Sequence, residues 1–191
     1  MEARSEMTYE FLLSILRMST PMIFAALGGL YSERSGVIQI GLEGLMLVGA
    51  FVAAVITLKT GSPGLGFLLA GIAGGIVGLF YASAVISGRS DQIVAGTALN
   101  LLVMGMIPLL LKLLYDSTGG TPSLAEENRF QQFPLWFVLL VAAFVWFFMK
   151  RSRSGLWVSF AGENPEALDA AGVSVRKVRY LAVATSGFLA G

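Results

Sequence analysis

The sequence predicts an all-α fold, a polytopic transmembrane helical bundle, and three observations support this. Hydrophobic residues make up 55% of the 191-residue chain and charged residues only 13%, about half the share in an average soluble protein. The mean hydropathy is +0.76. Long charge-free stretches alternate with short polar segments, and the longest lies between Lys59 and Arg89. A soluble fold of this size cannot bury so much apolar side chain, so we expect lipid to solvate most of the chain.

The charge-free stretches locate the membrane spans. A helix needs about 20 apolar residues to cross the hydrocarbon core. The sequence predicts five full spans, at about Phe11–Tyr31, Val37–Leu58, Gly64–Ser87, Ile93–Tyr115 and Phe133–Met149. A sixth helix begins near Val178 and is still apolar at Gly191, which gives only about 20 Å, too short to cross. We therefore expect residues 1–191 to form a single transmembrane domain, the front part of a longer protein.

The composition excludes several classes of function. With no cysteine and no histidine, the chain has no disulfide, no zinc finger, no thiol nucleophile and no imidazole base. A net charge of +1 gives no basic surface for nucleic acid. Neither a phosphate-binding G-x-x-x-x-G-K-[ST] loop nor a G-x-S-x-G nucleophile elbow is present. We expect no catalytic residue, no metal and no cofactor, and we expect this chain not to be an enzyme.

The distribution of basic residues predicts the orientation. Six lysines and arginines lie between residues 150 and 179, whereas the loop over residues 116–132 is mainly acidic. Because cytoplasmic loops carry the excess of Lys and Arg, we expect residues 150–179 inside and residues 116–132 outside. Counting back places the loops near residues 31–36 and 88–92 inside and the N-terminus outside.

The cytoplasmic segment contains a short helix with clear end signals. Asn164 is a natural N-cap and Pro165 suits the first helical position. Glu166 and Asp169 favour the positive helix end, and Gly172 can adopt the left-handed conformation that ends a helix. A helix of about two turns is only marginally stable alone. We therefore expect it to dock on another protein, a plain surface helix being the alternative.

Two polar side chains inside predicted spans are candidates for function. Glu43 is predicted about two turns inside the second span, beside Gly41 and Gly44, where a carboxylate must face protein, water or a partner. Asn100 lies about two turns into the fourth span and must find a partner in the bundle. For both, a structural hydrogen bond is the favoured interpretation and substrate contact is the alternative.

Four glycines of the third span form two overlapping GxxxG spacings: Gly71, Gly74, Gly75 and Gly78. Small residues let membrane helices approach closely. Helix packing is the favoured interpretation, and substrate passage along this face is the alternative.

Three blocks, in the same order along the chain, carry a resemblance. They are Gly28–Gly44, which contains Ser-Glu-Arg-Ser-Gly-Val, then Asp91–Leu102, and then Gly162–Gly172 followed by Arg179-Tyr180. Together they resemble the permease subunits of bacterial ATP-binding-cassette importers of the branched-chain amino acid and simple-sugar superfamily. Within it, the nucleoside and simple-sugar permease group is most similar.

The resemblance implies a multi-pass permease of the bacterial plasma (inner) membrane for a nucleoside, a simple sugar or a similar small polar solute. It implies a coupling helix, within the cytoplasmic segment 150–179, that a cytoplasmic ATPase holds in a cleft; its residues are Asn164, Pro165, Glu166, Ala167, Leu168, Asp169 and Gly172. It also implies a second, usually distinct, permease subunit and an extracytoplasmic substrate-binding lipoprotein. Gln39 stands where the family usually has Asn, and we place Gln39, Glu43 and Asn100 on the substrate pathway.

An ion-driven secondary transporter is the alternative function. It needs a titratable group in the middle of a span, and Glu43 is the one convincing candidate. An intramembrane enzyme is the weaker alternative, because its usual motifs are absent.

Overall fold

The computed structural model describes residues 2–117, 119–124 and 135–191, without the side chains of residues 2–10, 12, 13, 17 and 135. Within these residues the regular structure is helical throughout, which confirms the all-α prediction. The elements are α1 (Glu2–Arg34), α2 (Leu42–Thr60), α3 (Pro63–Ala82) with a π-helical turn (Ser83–Ser87), α4 (Gln92–Tyr115), α5 (Leu135–Arg151), α6 (Arg153–Glu163), α7 (Pro165–Ala170) and α8 (Val175–Ala190).

Among the residues that the structure describes, three helices are long and apolar enough to cross a membrane, and each lies at a predicted span: α2, α3 with its π-helical turn, and α4. Their outer faces carry exposed apolar side chains, such as Phe80, Leu101 and Leu113, each at least 70% exposed. Such surfaces are unfavourable in water and favourable in lipid. The predicted first span lies within α1. The predicted fifth span starts at Phe133, outside the described residues, and continues as α5.

The start of α2 differs from the prediction. We expected a helix from Val37, but α2 begins at Leu42 and residues 35–41 are not helical. We call residues 35–41 the junction segment. The junction segment is also mainly apolar, so hydropathy alone does not show where the non-helical residues end and the helix begins.

Residues 150–179 contain more structure than expected. A helix, α6, fills Arg153–Glu163, where the sequence analysis placed only a loop. Ser152 caps it by accepting a hydrogen bond from the Gly155 amide at 2.9 Å. The short helix α7 forms at Pro165–Ala170 as predicted, and α8 begins at Val175 rather than Val178.

The glycines of α3 pack against α8 through backbone contact. A Cβ added to Gly74 would lie 2.3 Å from the Gly187 carbonyl oxygen, and one added to Gly187 would lie 2.4 Å from the Gly74 oxygen. On the other side of α8, a Cβ on Gly28 of α1 would lie 2.7 Å from the Ser186 oxygen. Helix α8 is therefore held between α1 and α3 by small residues, as the packing interpretation of the GxxxG spacing predicts.

We expect Gly74→Ala to separate α3 from α8 and to destabilise the fold by about 1–3 kcal/mol, the usual cost of overpacking. Thermal unfolding of the protein purified in detergent measures the effect. The matched control is Gly75→Ala, because a Cβ there meets its nearest atom, the Ala184 oxygen, at 3.4 Å. Equal unfolding temperatures for the two variants would contradict the close-packing account.

A buried apolar cluster fixes residues 153–175 to the bundle. It draws residues from α1, α5, α6, α7 and α8: Tyr31, Val145, Val158, Ala161, Leu168, Val175, Val178 and Ala182. This cluster sets the position of α7 relative to the helices.

Candidate functional site

The junction segment begins where two buried serines end helix α1. The Ser32 hydroxyl donates to the Val37 carbonyl at 2.7 Å and the Ser35 hydroxyl donates to the Ser32 carbonyl at 2.7 Å. Gly36 has φ +86°, the left-handed conformation that favours glycine. A Cβ there would also lie 3.2 Å from the Gly162 Cα. The chain therefore turns sharply, directly against the end of α6.

Side chains from α3 and α4 satisfy the backbone in the middle of the junction segment. The Tyr81 hydroxyl donates to the Ile38 carbonyl at 2.7 Å. The Gln92 side-chain oxygen accepts from the Ile38 amide at 2.8 Å. Non-helical backbone in a membrane protein must find such partners, because lipid supplies none.

Asn100 of α4 joins the junction segment to the start of α2. Its amide nitrogen donates to the Ile40 carbonyl at 3.2 Å, and its amide oxygen accepts from the Gly44 amide at 2.8 Å. Gly41 occupies the N-cap position of α2 and has no side chain to cap it. Asn100 supplies that missing cap from another helix. These are the structural hydrogen bonds that the sequence analysis favoured for Asn100.

Arg179 of α8 connects the junction segment to α6. Its Nε donates to the Ser35 carbonyl at 3.0 Å and its Nη2 donates to the Ala161 carbonyl at 2.9 Å. The exposed ion pair Arg34–Glu163, at 3.7 Å, lies beside this contact. Because both side chains are exposed to solvent, it contributes little to stability. In the sequence, Arg179 counted only as a positive charge and as part of a motif, because its two partners are backbone groups of other segments.

Helix α7 carries the caps that the sequence predicts. The Asn164 side-chain oxygen accepts from the Ala167 amide at 3.1 Å, Pro165 lies in the first turn, and Gly172 has φ +79°. Leu168 is only 4% exposed and anchors the helix in the apolar cluster. Glu166 is exposed.

Asp169 has a role that the sequence analysis did not assign. Its carboxylate accepts from the Val175 amide at 3.3 Å, at the start of α8. Ser174, the N-cap residue of α8, makes no side-chain capping bond. Asp169 therefore connects α7 to the start of α8.

The two remaining pathway candidates have different environments. Gln39, in the junction segment, is 3% exposed, and among the described residues neither its amide oxygen nor its amide nitrogen has a hydrogen-bond partner. Glu43 is exposed and lies in the first turn of α2. The expectation that Glu43 lies two turns inside a helix is wrong, because α2 begins five residues later than expected. At a helix N-terminus a carboxylate is stabilised by the backbone dipoles.

A groove of about 800 Å³ runs along α2 from Glu43 to Thr57. Of the three pathway candidates, only Glu43 lines it, and Glu43 is the one charged residue among its lining. The other lining residues are mostly apolar. They come mainly from α2 and α3, with further residues from α1, the segment after α4 and the end of α8: Pro21, Met46, Leu47, Gly49, Ala50, Ala53, Ala54, Thr57, Pro63, Phe67, Ala70, Leu124, Ala190 and Gly191. In the part of the chain that the structure describes, no acidic cluster suited to a metal ion occurs.

The three predicted cytoplasmic segments lie at one end of the bundle. Arg179 contacts the junction segment, Gln92 contacts it from the first turn of α4, and the Tyr180 hydroxyl shares a hydrogen bond with Ser87 at the end of the π-helical turn. The contacts bring the three segments together, and their cytoplasmic location stays a prediction.

Comparison with known proteins gives consistent matches. Residues 11–191 match the family described as "Branched-chain amino acid transport system / permease component". The chain is 36% identical to the guanosine ABC transporter permease protein NupQ of Bacillus subtilis, over 91% of this chain and 62% of that protein. It is 32% identical to the nucleoside ABC transporter permease protein NupC of Lactococcus lactis, over 93% of this chain and 63% of that protein.

A third relative comes from an archaeon. The chain is 36% identical to the putative glucose ABC transporter permease protein TsgC13 of Haloferax volcanii, over 92% of this chain and 58% of that protein. The chain thus spans less than two thirds of the length of these relatives. No solved structure matches it.

Proposed function

The chain belongs to the family of branched-chain amino acid transport system permease components, and from this premise we propose that it forms part of the translocation path of an ATP-driven importer. In this proposal a separate ATPase hydrolyses ATP in the cytoplasm. The chain itself supplies the membrane path and the surface on which the ATPase acts.

The observation that carries this proposal is the construction of α7. The helix is capped at both ends, anchored inward by Leu168, and linked to α8 through Asp169. Glu166, next to this anchored side, is exposed, and we assign it to the contact with a partner. A ligand or partner can shift a conformational equilibrium only through contacts that differ between the two states. In our proposal the ATPase makes those contacts with α7.

The proposal includes two further partners: a second permease subunit and an extracytoplasmic lipoprotein that delivers the solute. It also places the chain in the bacterial inner membrane as a multi-pass protein, with α7 in the cytoplasm. The names of the relatives support an ABC transporter as the setting. A heterodimeric pair is the arrangement we favour, since two different guanosine ABC transporter permease proteins of Bacillus subtilis are among the relatives.

For the substrate, we propose a nucleoside, a simple sugar or a similar small polar solute. The relatives are named for guanosine, nucleosides and glucose. The groove along α2, with Glu43 at one end, is the path we favour, and Gln39 and Asn100 shape its inner mouth through the junction segment. Sensitivity of uptake to Gln39 and Glu43 substitutions tests this placement.

We expect Glu166→Arg to uncouple ATP hydrolysis from uptake while the protein still inserts in the membrane. The charge is reversed on the exposed face of α7, where the ATPase is proposed to bind, and the caps and Leu168 are unchanged. Uptake and ATPase activity are measured together in reconstituted vesicles. The matched control is Glu166→Gln, which keeps the size of the side chain and removes only the charge, and is expected to have a smaller effect. Full uptake by Glu166→Arg would refute the coupling assignment.

We expect Gln39→Leu to leave stability unchanged or slightly improved and to lower uptake. The buried amide has no hydrogen-bond partner among the described residues, so an apolar side chain of similar size removes a desolvation cost of about 1–3 kcal/mol. Thermal unfolding and uptake are compared for the same preparation. Clear destabilisation with normal uptake would instead assign Gln39 a structural role.

Ion-driven transport is disfavoured by the position of Glu43, which is exposed in the first turn of α2 and not in the middle of a span. Uptake that continues after collapse of the proton gradient and stops on ATP depletion supports the importer. The opposite result supports the secondary transporter.

A further inference from the structure

Helix α6 has two apolar faces: one is buried in the bundle, and the other is about half exposed. Gly155, Val158 and Ala161 are buried against the bundle. On the other side, Leu156, Trp157 and Phe160 are 49%, 41% and 46% exposed. A helix with large apolar side chains on its outer face needs a second apolar environment.

The position of α6 places this outer face at the boundary between membrane and water. Helix α5 carries no charged residue from Leu135 to Met149 and ends with Lys150 and Arg151. Helix α6 folds back onto that end: a Cβ added to Gly155 would lie 2.4 Å from the Phe148 carbonyl oxygen. If α5 crosses the bilayer, α6 lies at the depth of the lipid headgroups.

The charge pattern of this region is basic. Lys150, Arg151 and Arg153 lie within four consecutive residues, and no acidic residue occurs from Lys150 to Gly162. Lys150 Nζ lies 5.1 Å from the centre of the Trp146 ring, which holds this charge at the end of α5. Aromatic and basic residues together are typical of segments that lie in the membrane interface.

A groove of about 320 Å³ follows the outer face of α6 where it meets α7. It is lined by Arg153, Leu156, Trp157, Phe160, Ala167, Leu168 and Ala171. The groove is apolar along its length and has one charge, Arg153, at the end nearest α5. This arrangement is complementary to an anionic phospholipid, whose acyl chain is apolar and whose headgroup is negative.

We propose that the outer face of α6 is an interfacial binding surface for anionic phospholipid, with Arg153 contacting the headgroup and Leu156, Trp157 and Phe160 contacting the acyl region. Lipid bound there stabilises α6, and through the shared apolar cluster it supports the position of α7. The proposal depends on α5 crossing the membrane and does not depend on which solute is transported.

The test uses Trp157 as the probe. The full chain carrying Trp136→Phe and Trp146→Phe keeps Trp157 as its one remaining tryptophan, since the sequence has three. The protein is placed in vesicles that contain either brominated phosphatidylglycerol or brominated phosphatidylcholine, with bromine near the headgroup end of the chain. We expect quenching of Trp157 by both lipids, and stronger quenching by the anionic one.

Arg153→Gln in the same background should reduce the preference for the anionic lipid by about fivefold, the effect of one basic residue at an anionic surface. Lys112→Gln is the matched control, because it removes one positive charge from the last turn of α4; we expect it to leave the preference at Trp157 unchanged.

Two results would overturn the proposal. One is strong quenching of Trp157 by aqueous acrylamide with no effect of brominated lipid, which would place the α6 face in water. The other is an emission spectrum that shifts only when the ATPase is added, which would assign the same face to a protein partner.

Discussion

Arg179→Ala is expected to reduce uptake by at least about tenfold while leaving the protein in the membrane. Arg179 donates to the Ser35 and Ala161 carbonyls, and hydrogen bonds from a charged donor contribute about 1.5–3 kcal/mol each. Without them, the end of α6 and the junction segment lose their connection through α8. A displacement of α7 by the ATPase is then no longer passed to the start of α2.

Two control variants separate this connection from general effects of charge. Arg179→Lys keeps the positive charge but lacks the planar group that donates in two directions, and we expect it to rescue uptake only in part. Lys177→Ala removes an exposed positive charge two residues earlier and should have little effect. Uptake is measured against ATP hydrolysis in the same vesicles. Normal coupled uptake by Arg179→Ala would mean that the junction segment does not transmit the motion of α7.

Asn100→Ala is expected to destabilise the fold more than Arg179→Ala does. We expect it to lower the free energy of unfolding by about 2–4 kcal/mol. Asn100 bonds both the Ile40 carbonyl and the Gly44 amide, and each backbone group left without a partner costs about 1–3 kcal/mol. The start of α2 then loses the cap that Gly41 cannot supply. Thermal unfolding in detergent measures the loss.

Thr97→Val is the matched control for Asn100→Ala. Thr97 lies three residues before Asn100 on α4, and its hydroxyl donates within its own helix, to the Ile93 and Val94 carbonyls. Removing that hydroxyl leaves the junction segment unchanged, so we expect a shift of only a few tenths of a kcal/mol, or none. Equal destabilisation by the two variants would contradict the role of Asn100 as a cap supplied from another helix.

Features with a local cause could be predicted from the sequence. The caps of α7 depend on residues within a few positions of each other, so Asn164, Pro165 and Gly172 were identified with their roles. The apolar stretches predicted the bounds of α3, with its π-helical turn, and of α4 to within a residue or so. Pro63 marks the start of α3, and Asp91 and Asp116 flank α4. The glycine spacing of α3 likewise indicated close packing before its partner, α8, was known.

Features with a distant cause could not be predicted. Residues 37–40 have the hydropathy of a helix start, but side chains at positions 81, 92 and 100 satisfy their backbone in a non-helical conformation. Because of these hydrogen bonds, α2 begins at Leu42 and not at the expected Val37. Glu43 therefore lies in the first turn of α2 and not two turns inside it. Arg179 was counted as a charge because its acceptors are carbonyls 18 and 144 residues away. Helix α6 was missed because its short apolar pattern lies within a basic loop.

The central claim is that α7 is a cytoplasmic helix held by a separate ATPase, and site-specific cross-linking tests it most directly. The sequence contains no cysteine, so Glu166→Cys provides a single reactive thiol on the exposed face of α7. With the ATPase of the same transporter co-expressed, we predict a cross-link between the two proteins whose yield changes on addition of ATP. Labelling of this thiol by a membrane-impermeant maleimide added outside intact cells, with no cross-link to the ATPase, would contradict the account.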